Sequence, residues 1–466
     1  MSINDLHEFI SLLESNAELS RINVASDPRL EIAAITNRVC KQPEGGRALL
    51  FEQPVGSRFP LATNLFGSLR RTCLALGVED LRQLSTQMAA LLDRIPEFDL
   101  AHLDRQIAAL KEFSRFTPIS APPCWTRPMD PPDLTTFPFL QSWPDDGAAD
   151  GHPRYITLPQ VVTAAPDGTN PNCGLYRAQV RGKRDLALRW KAGSGAAQHL
   201  EKFRRLGKPM PVAVVLGGPP VTLFSAMLPL PGDLDEMSFA GFLRGAAIGM
   251  AACQSVPLRV PAAAEVVIEG FVDPTETVVE GPFGNHTGSY ALAGPAALMR
   301  VTAISHRPGA MIPATVVGPP PMEDCWMAKA WERLLLAFLQ RLVPAIADIN
   351  FPLEWIFHQS ALISLDKPNP GMVREIAARL WETPWFGEAR LMVFVGADAN
   401  PDNERDIAWR CINLIDYADD IFHDSSGRRM ALDATGCRLP RQPLQTDPAM
   451  EQQILQRWPE YGIPLK

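Results

Sequence analysis

From about residue 131 to 305 the chain is a succession of short apolar runs punctuated by proline, glycine and asparagine: RYITLPQVVTAA, CGLYRAQV, DLALRW, PMPVAVVLGG and VTLFSAMLPL. Runs of this length, rich in β-branched residues and bounded by turn residues, predict strands. Strands so closely spaced suggest a barrel. One helix interrupts them, over about 236 to 253 (EMSFAGFLRGAAIGMAAC). The flanking parts read differently. Residues 2 to about 112 mix helices and strands. LHEFISLLESN puts Leu6, Phe9, Ile10, Leu12 and Leu13 on one broad helical face. DPRLEIAAITNRVCK predicts a helix opened by Asp27-Pro28, RALLFEQPV a strand, and VEDLRQLSTQMAALLDRI a long helix. Residues 113 to 130 are proline-rich and mark a boundary. After Gly318, CWMAKAWERLLLAFLQRLVP, ALISLD, PGMVREIAARLWET, RLMVFVGAD and ERDIAWRCINLID alternate helix and strand, predicting an α/β layer. The expected organisation is an α/β part at 1–112, a β-barrel part at 113–317 and an α/β part at 318–466.

Bulk properties narrow the function. A length of 466 residues suggests two or three domains. Net charge is −8, which speaks against a nucleic-acid surface. No apolar run reaches the roughly 20 residues of a membrane span. MSINDLHEFISLLESN is acidic and helical in spacing, unlike a signal or transit peptide. The eight cysteines are scattered, with no CxxC pair, so neither a zinc site nor a disulfide framework is indicated. The expectation is a cytoplasmic protein with reduced thiols.

Two segments concentrate chemistry. EGPFGNHTGSY, Glu280 to Tyr290, offers a carboxylate, a carboxamide and an imidazole among three glycines. Pro282 forbids a continuous helix, and the glycines permit a shaped loop between two strands. That loop is either a functional site presenting Glu280, Asn285 and His286 or simply a hairpin turn. In NPNCGLYRAQV, strand alternation would set Leu175, Arg177 and Gln179 on one face. An isolated arginine on such a face is ordinarily solvated or paired.

Taken in order, NCGLYRAQ, EMSFAGFLRG, EGPFGNHTGSY, GPPPMEDCWMAKAWERLL and MALDAT resemble the UbiD family of prenylated-FMN-dependent (de)carboxylases. DPRLEIAAITNRV and NLFGSLRR resemble that family's N-terminal segments. The resemblance covers nearly the whole chain. It implies an N-terminal α/β domain, a central split β-barrel of flavin-reductase type and a C-terminal α/β domain, assembled as a homo-oligomer (dimer or hexamer). It implies reversible decarboxylation of a small aromatic, heteroaromatic or α,β-unsaturated acid, hydroxybenzoate-like substrates favoured, with prenylated FMN supplied by a flavin prenyltransferase. CO2 is the other product.

By the same resemblance Arg177 is the catalytic arginine and Glu280 its partner, with Gln179 and Lys367 toward the cofactor. Two departures stand out. Asn285 occupies the place of the usual acid, and a carboxamide cannot act as a general acid. His286 beside it, or a water, is then the candidate proton source. In the family an Asn, a His and a Glu, with the cofactor phosphate, hold a manganese-type ion. Asn172 and Glu236 match the first and last, but Gly193 stands where the histidine belongs. His199 lies six residues further on and would reach only with a rearranged loop. A divalent metal is expected to bind weakly, to be absent or to be replaced by a monovalent ion such as potassium. Lys191 or Ser194 would then meet the phosphate directly. These departures also allow a non-catalytic, subunit-like cofactor binder. An ordinary FMN redox barrel ranks last, because no GxGxxG follows a strand.

Overall fold

The computed structural model describes residues 3–232, 234–438, 444 and 446–464. Its central element is a nine-stranded sheet built around two long antiparallel strands, Val266–Glu280 and Gly294–His306. Register shifts at Glu269/Gly270 and Val272/Thr277 bend this pair. From Val266–Glu280 the sheet continues through Met210–Leu216 and Gln160–Thr163 to the edge strand Asn172–Leu175. From Gly294–His306 it continues through Asp185–Leu188 and Ala178–Val180 to Tyr155–Ile156.

Strands Asn172–Leu175 and Ala178–Val180 thus lie near opposite ends of the sheet, yet only Tyr176 and Arg177 separate them in the chain. Three Cα–Cα steps span at most about 11 Å. The sheet must therefore curl until its ends almost meet, giving a half-barrel with a seam at Arg177. The single strand expected over CGLYRAQV is two strands, and strand alternation does not run from Leu175 through Gln179.

Three other expectations change. VTLFSAMLPL holds a helix, Pro220–Met227, not a strand. Its residues through Ala226 are all buried, so the apolar run carries no periodicity to tell helix from strand. The helix expected to reach residue 253 ends at Arg244, where Gly245 (φ 76°) turns left-handed, and Gly249–Ala252 forms a strand. The helix expected from Asp27-Pro28 begins at Glu31.

At the N-terminal end, helix Leu6–Ser15 is capped by the Asp5 side chain, which accepts from Glu8 N. It buries Leu6, Phe9, Ile10 and Leu13. Strands Leu19–Ile22, Ala48–Phe51 and Leu61–Thr63 form a sheet whose fourth strand, Ile312–Pro313, comes from far along the chain. At the other end, Ser360–Leu365, Leu391–Gly396 and Met430–Asp433 pair in parallel, flanked by antiparallel Ile346–Asn350 and Ile421–His423. Helix Glu323–Leu342 packs against helix Arg82–Leu92, tying the two ends together. No helix among the described residues is long and apolar enough to cross a membrane.

One apolar core runs from Ile3 to Ala431, and a second fills the half-barrel with residues such as Val212, Val214, Ile268 and Met299. Phe66 joins the N-terminal part to the first core, stacked on Phe9 at 5.4 Å and edge-on to Phe224 at 5.3 Å. Phe66→Ala is expected to cost about 3–5 kcal/mol in chemical denaturation, from lost burial and a residual cavity.

Candidate functional site

Arg177 projects from the seam and meets Glu280 at the end of the long strand. Its Nε donates to Oε1 at 2.8 Å and its Nη2 to Oε2 at 3.0 Å, a two-pronged pairing that leaves Nη1 outside it. Arg189, just beyond strand Asp185–Leu188, also donates through Nη1 to Glu280 Oε2, at 3.3 Å. Glu280 is fully buried, so two guanidinium groups offset its desolvation. The Arg177 guanidinium lies 4.6 Å from the centre of the Phe283 ring, which packs on Tyr155.

The loop after Glu280 is a small hairpin in which Phe283–Gly284 pairs with Tyr290–Ala291. The turn reading is therefore correct for its tip, and the tip carries the polar residues. Asp146 holds the first arm, accepting from Gly284 N at 2.8 Å. Burial pushes the Asp146 carboxyl above its ordinary value. Trp143 lies directly on Gly284, where a Cβ would come within 2.0 Å of the indole. Any side chain there would displace either the indole or the hairpin.

Asn285 spends its side-chain oxygen on the turn itself, accepting from His286 N at 2.7 Å. His286 Nδ1 stands 3.1 Å from Asp324 Oδ2. Asp324 is placed by its neighbour Glu323, whose carboxylate accepts from Phe66 N at 2.8 Å. Burial raises the Glu323 carboxyl to about 7. The His286 ring meets Phe357 and His358 edge-on, at 5.8 and 5.5 Å. Burial, and then the neighbouring His286 ring, lowers His358 to about 4.

Beside the seam a cavity of about 480 Å³ is lined by Asn172, Tyr176, Lys191, Ser194, His199 and Glu236, among others. Asn172 and Glu236 thus line the same cavity. Glu236 Oε2 accepts from Cys173 N at 3.0 Å. Asn172 Nδ2 is buried without an acceptor. A Cβ on Gly195 would fall 2.0 Å from Asn172 Oδ1, so only glycine allows helix Gly195–Leu206 to start this close. His199 reaches the cavity from that helix without any rearranged loop, and its Nδ1 is 2.9 Å from Thr163 Oγ1.

Two expected residues lie elsewhere. Gln179 is fully buried and donates to Asp150 Oδ1 and His152 O, at 3.0 and 2.8 Å. Lys367 is exposed, with φ 45°, and does not line the cavity. Arg189, Asp324 and His358 were missed, since nothing local in the sequence links them to the loop.

His358 gives the site a stability signature. Held neutral in the fold, it contributes stability above its ordinary value of 6.5, and this is lost as pH falls toward 4. Glu323, shifted upward, works oppositely in the same range. The comparison of His358→Gln with wild type isolates the histidine. The variant should gain about 1–2 kcal/mol relative to wild type between pH 7 and 4.5 in urea denaturation.

Three domain models of one family match the chain: the 3-octaprenyl-4-hydroxybenzoate carboxy-lyase N-terminal domain at residues 10–91, the Rift-related domain at 118–320 and the C-terminal domain at 325–441. An uncharacterised protein of Archaeoglobus fulgidus is 37% identical over 422 residues, covering 90% of this chain and 86% of that protein. One from Synechocystis is 34% identical, covering 98% and 96%. The closed form of Sedimentibacter hydroxybenzoicus vanillic acid decarboxylase shares the fold with a TM-score of 0.83, at 23% identity over 99% of this chain and 100% of that one. An evolved dimeric form of the UbiD-class enzyme HmfF from Pelotomaculum thermopropionicum, in complex with prFMN, gives 0.80 at 24% identity over 96% and 98%. Matched in this way from residue 10 to residue 441, the chain belongs to the UbiD family.

Proposed function

We propose that the chain is a carboxy-lyase acting reversibly on a small aromatic, heteroaromatic or α,β-unsaturated acid, with hydroxybenzoate-like acids favoured and prenylated FMN as cofactor. The observation that carries this reading is the two-pronged pairing of half-buried Arg177 with buried Glu280 at the seam, next to a cavity of ligand size. The decarboxylase and the prFMN complex that share the fold support it.

The cavity suits a flavin. It has the volume for one, and the buried Asn172 Nδ2 in its wall lacks an acceptor. Asn172 and Ser194 would hold the cofactor's polar end. Bound there, prenylated FMN supplies the electron sink that decarboxylation at an sp² carbon requires. A flavin prenyltransferase would supply it. For a manganese-type ion, Gly193 offers no donor at the place where the resemblance puts a histidine, while Asn172, His199 and Glu236 line the one cavity. No step is routed through one.

Arg177 orients the substrate carboxylate through Nη1, the edge that Glu280 leaves outside the pair. Glu280 offsets part of the guanidinium charge. Arg177 therefore orients the acid without binding its ionised ground state so firmly that loss of CO2 becomes costly. The carbon that loses CO2 then needs a proton. Asn285 cannot give one. His286 can: Asp324 faces Nδ1 and stabilises the imidazolium, so Nε2 is the nitrogen that carries the transferable proton. His358, neutral through the working range, adds no competing charge.

The test is turnover and product H/D exchange, measured on protein co-expressed with a flavin prenyltransferase across a panel of such acids. Arg177→Ala should lower turnover at least about a thousandfold with the fold intact, as judged by circular dichroism. His286→Asn should slow proton incorporation about a hundredfold or more. Asn285→Asp should raise turnover if proton supply is limiting. Bound flavin with neither turnover nor exchange on any acid would mark a non-catalytic cofactor binder.

A further inference from the structure

A second cavity, also of about 480 Å³, shares no lining residue with the one at the seam. Helices Leu69–Leu76, Arg82–Leu92, Pro220–Met227 and Glu236–Arg244 all contribute to its walls. Those walls are mainly apolar, with Leu76, Val78, Phe116, Val221, Phe242 and Leu243 among them. Two arginines, Arg115 and Arg244, also line it, and no acidic residue does among those described.

Arg244 is a cation without an anion. Its Nε is buried with no acceptor, and its side chain makes no ion pair among the described residues. Burial holds its guanidinium below the ordinary value, the mark of a charge removed from water. Glu8 is the one described acid that acts on it, and that carboxylate accepts from Asn4 N at 2.8 Å instead. Arg115 lies with its guanidinium 4.6 Å from the centre of the Phe116 ring and likewise has no ion pair among the described residues.

The charge of the cavity limits what can fill it. Helices Leu69–Leu76 and Glu236–Arg244 both end here, at Gly77 and Gly245. Each C-terminus carries about half a negative charge. Two guanidinium groups less two such ends leave roughly one positive charge, which a monoanion matches and a doubly charged phosphate exceeds. A carboxylate also fits the planar guanidinium fork. The apolar walls ask for a hydrocarbon body behind it.

We propose that this cavity is a binding site for a carboxylic acid with an apolar body, its carboxylate on Arg244 and Arg115 and its body against Phe242 and Val221. The site is separate from the seam. Helices Pro220–Met227 and Glu236–Arg244 nevertheless reach the seam cavity with their other ends, through Met227 and Glu236.

The test is isothermal titration calorimetry of the purified full chain with octanoate, a saturated acid outside the substrate class proposed above, and with octan-1-ol as its uncharged counterpart. Octanoate should bind near one per chain with a Kd of about 1 mM or tighter, and octan-1-ol at least about tenfold more weakly. Arg244→Met should weaken octanoate at least about tenfold, and Arg115→Met, at the exposed side, about threefold. Ala90→Phe fills the cavity from its exposed rim without removing a charge and should abolish binding, so it carries the test if Arg244→Met does not fold. No saturable octanoate binding to wild type would overturn the proposal. So would wild-type affinity in a folded Arg244→Met or in Ala90→Phe, which would place the acid elsewhere. Octan-1-ol binding as tightly as octanoate would reduce the site to an apolar hole and overturn it as well.

Discussion

A two-residue link governs this molecule. Tyr176 and Arg177 join strands from near opposite ends of the central sheet, so the sheet can form fully only by curling until its ends almost meet. Closure and site formation are one event. The arginine sits at the seam because the seam is where the chain crosses, and the cavity lies beside it because Asn172 to Tyr176 make one of its walls. Twist alone would leave an open sheet, and the bends in the long Val266–Glu280 strand supply the extra curvature.

Glu280 then sets the polarity of the seam. A buried carboxylate with one cationic partner removed is expensive, typically by about 3–5 kcal/mol. Here two arginines from different links between strands share it, with Arg189 also donating to Leu292 O at 2.7 Å. Arg189 thus holds the start of the loop and its return together, keeping Phe283 beneath Arg177. The loop is over-determined by Asp146 and Trp143 on one arm and by Arg189 near the other. Such redundancy is what a site needs when it must hold one geometry while its ligand changes charge.

Much of this was legible in the sequence, for identifiable reasons. Helix Leu6–Ser15 and the C-terminal alternation announced themselves because each buries one face and leaves the other wet, which periodicity records. Pro220–Met227 is buried all round, so its pattern is mute and it was taken for a strand. The break at Tyr176–Arg177 was invisible because each half is a sound strand and only the closure of the whole sheet separates them. Among site residues, Arg177 and Glu280 were legible through motif order, and the structure brings them together. Asp324 and His358 could not be read, because their meaning lies in distance to His286, and sequence separations of 38 and 72 residues carry no such signal.

The two-residue strand Ile312–Pro313 completes a sheet whose other strands all lie before residue 64. On a ribosome adding roughly 5–20 residues per second, that sheet waits on the order of tens of seconds for its last member. Until then Leu61–Thr63 is an open edge, free to pair with whatever extended chain is near. The N-terminal part therefore cannot be finished before the half-barrel has been synthesised. The order of synthesis and the order of folding differ in this chain, and its earliest exposed edge is closed by one of the last residues of the barrel segment.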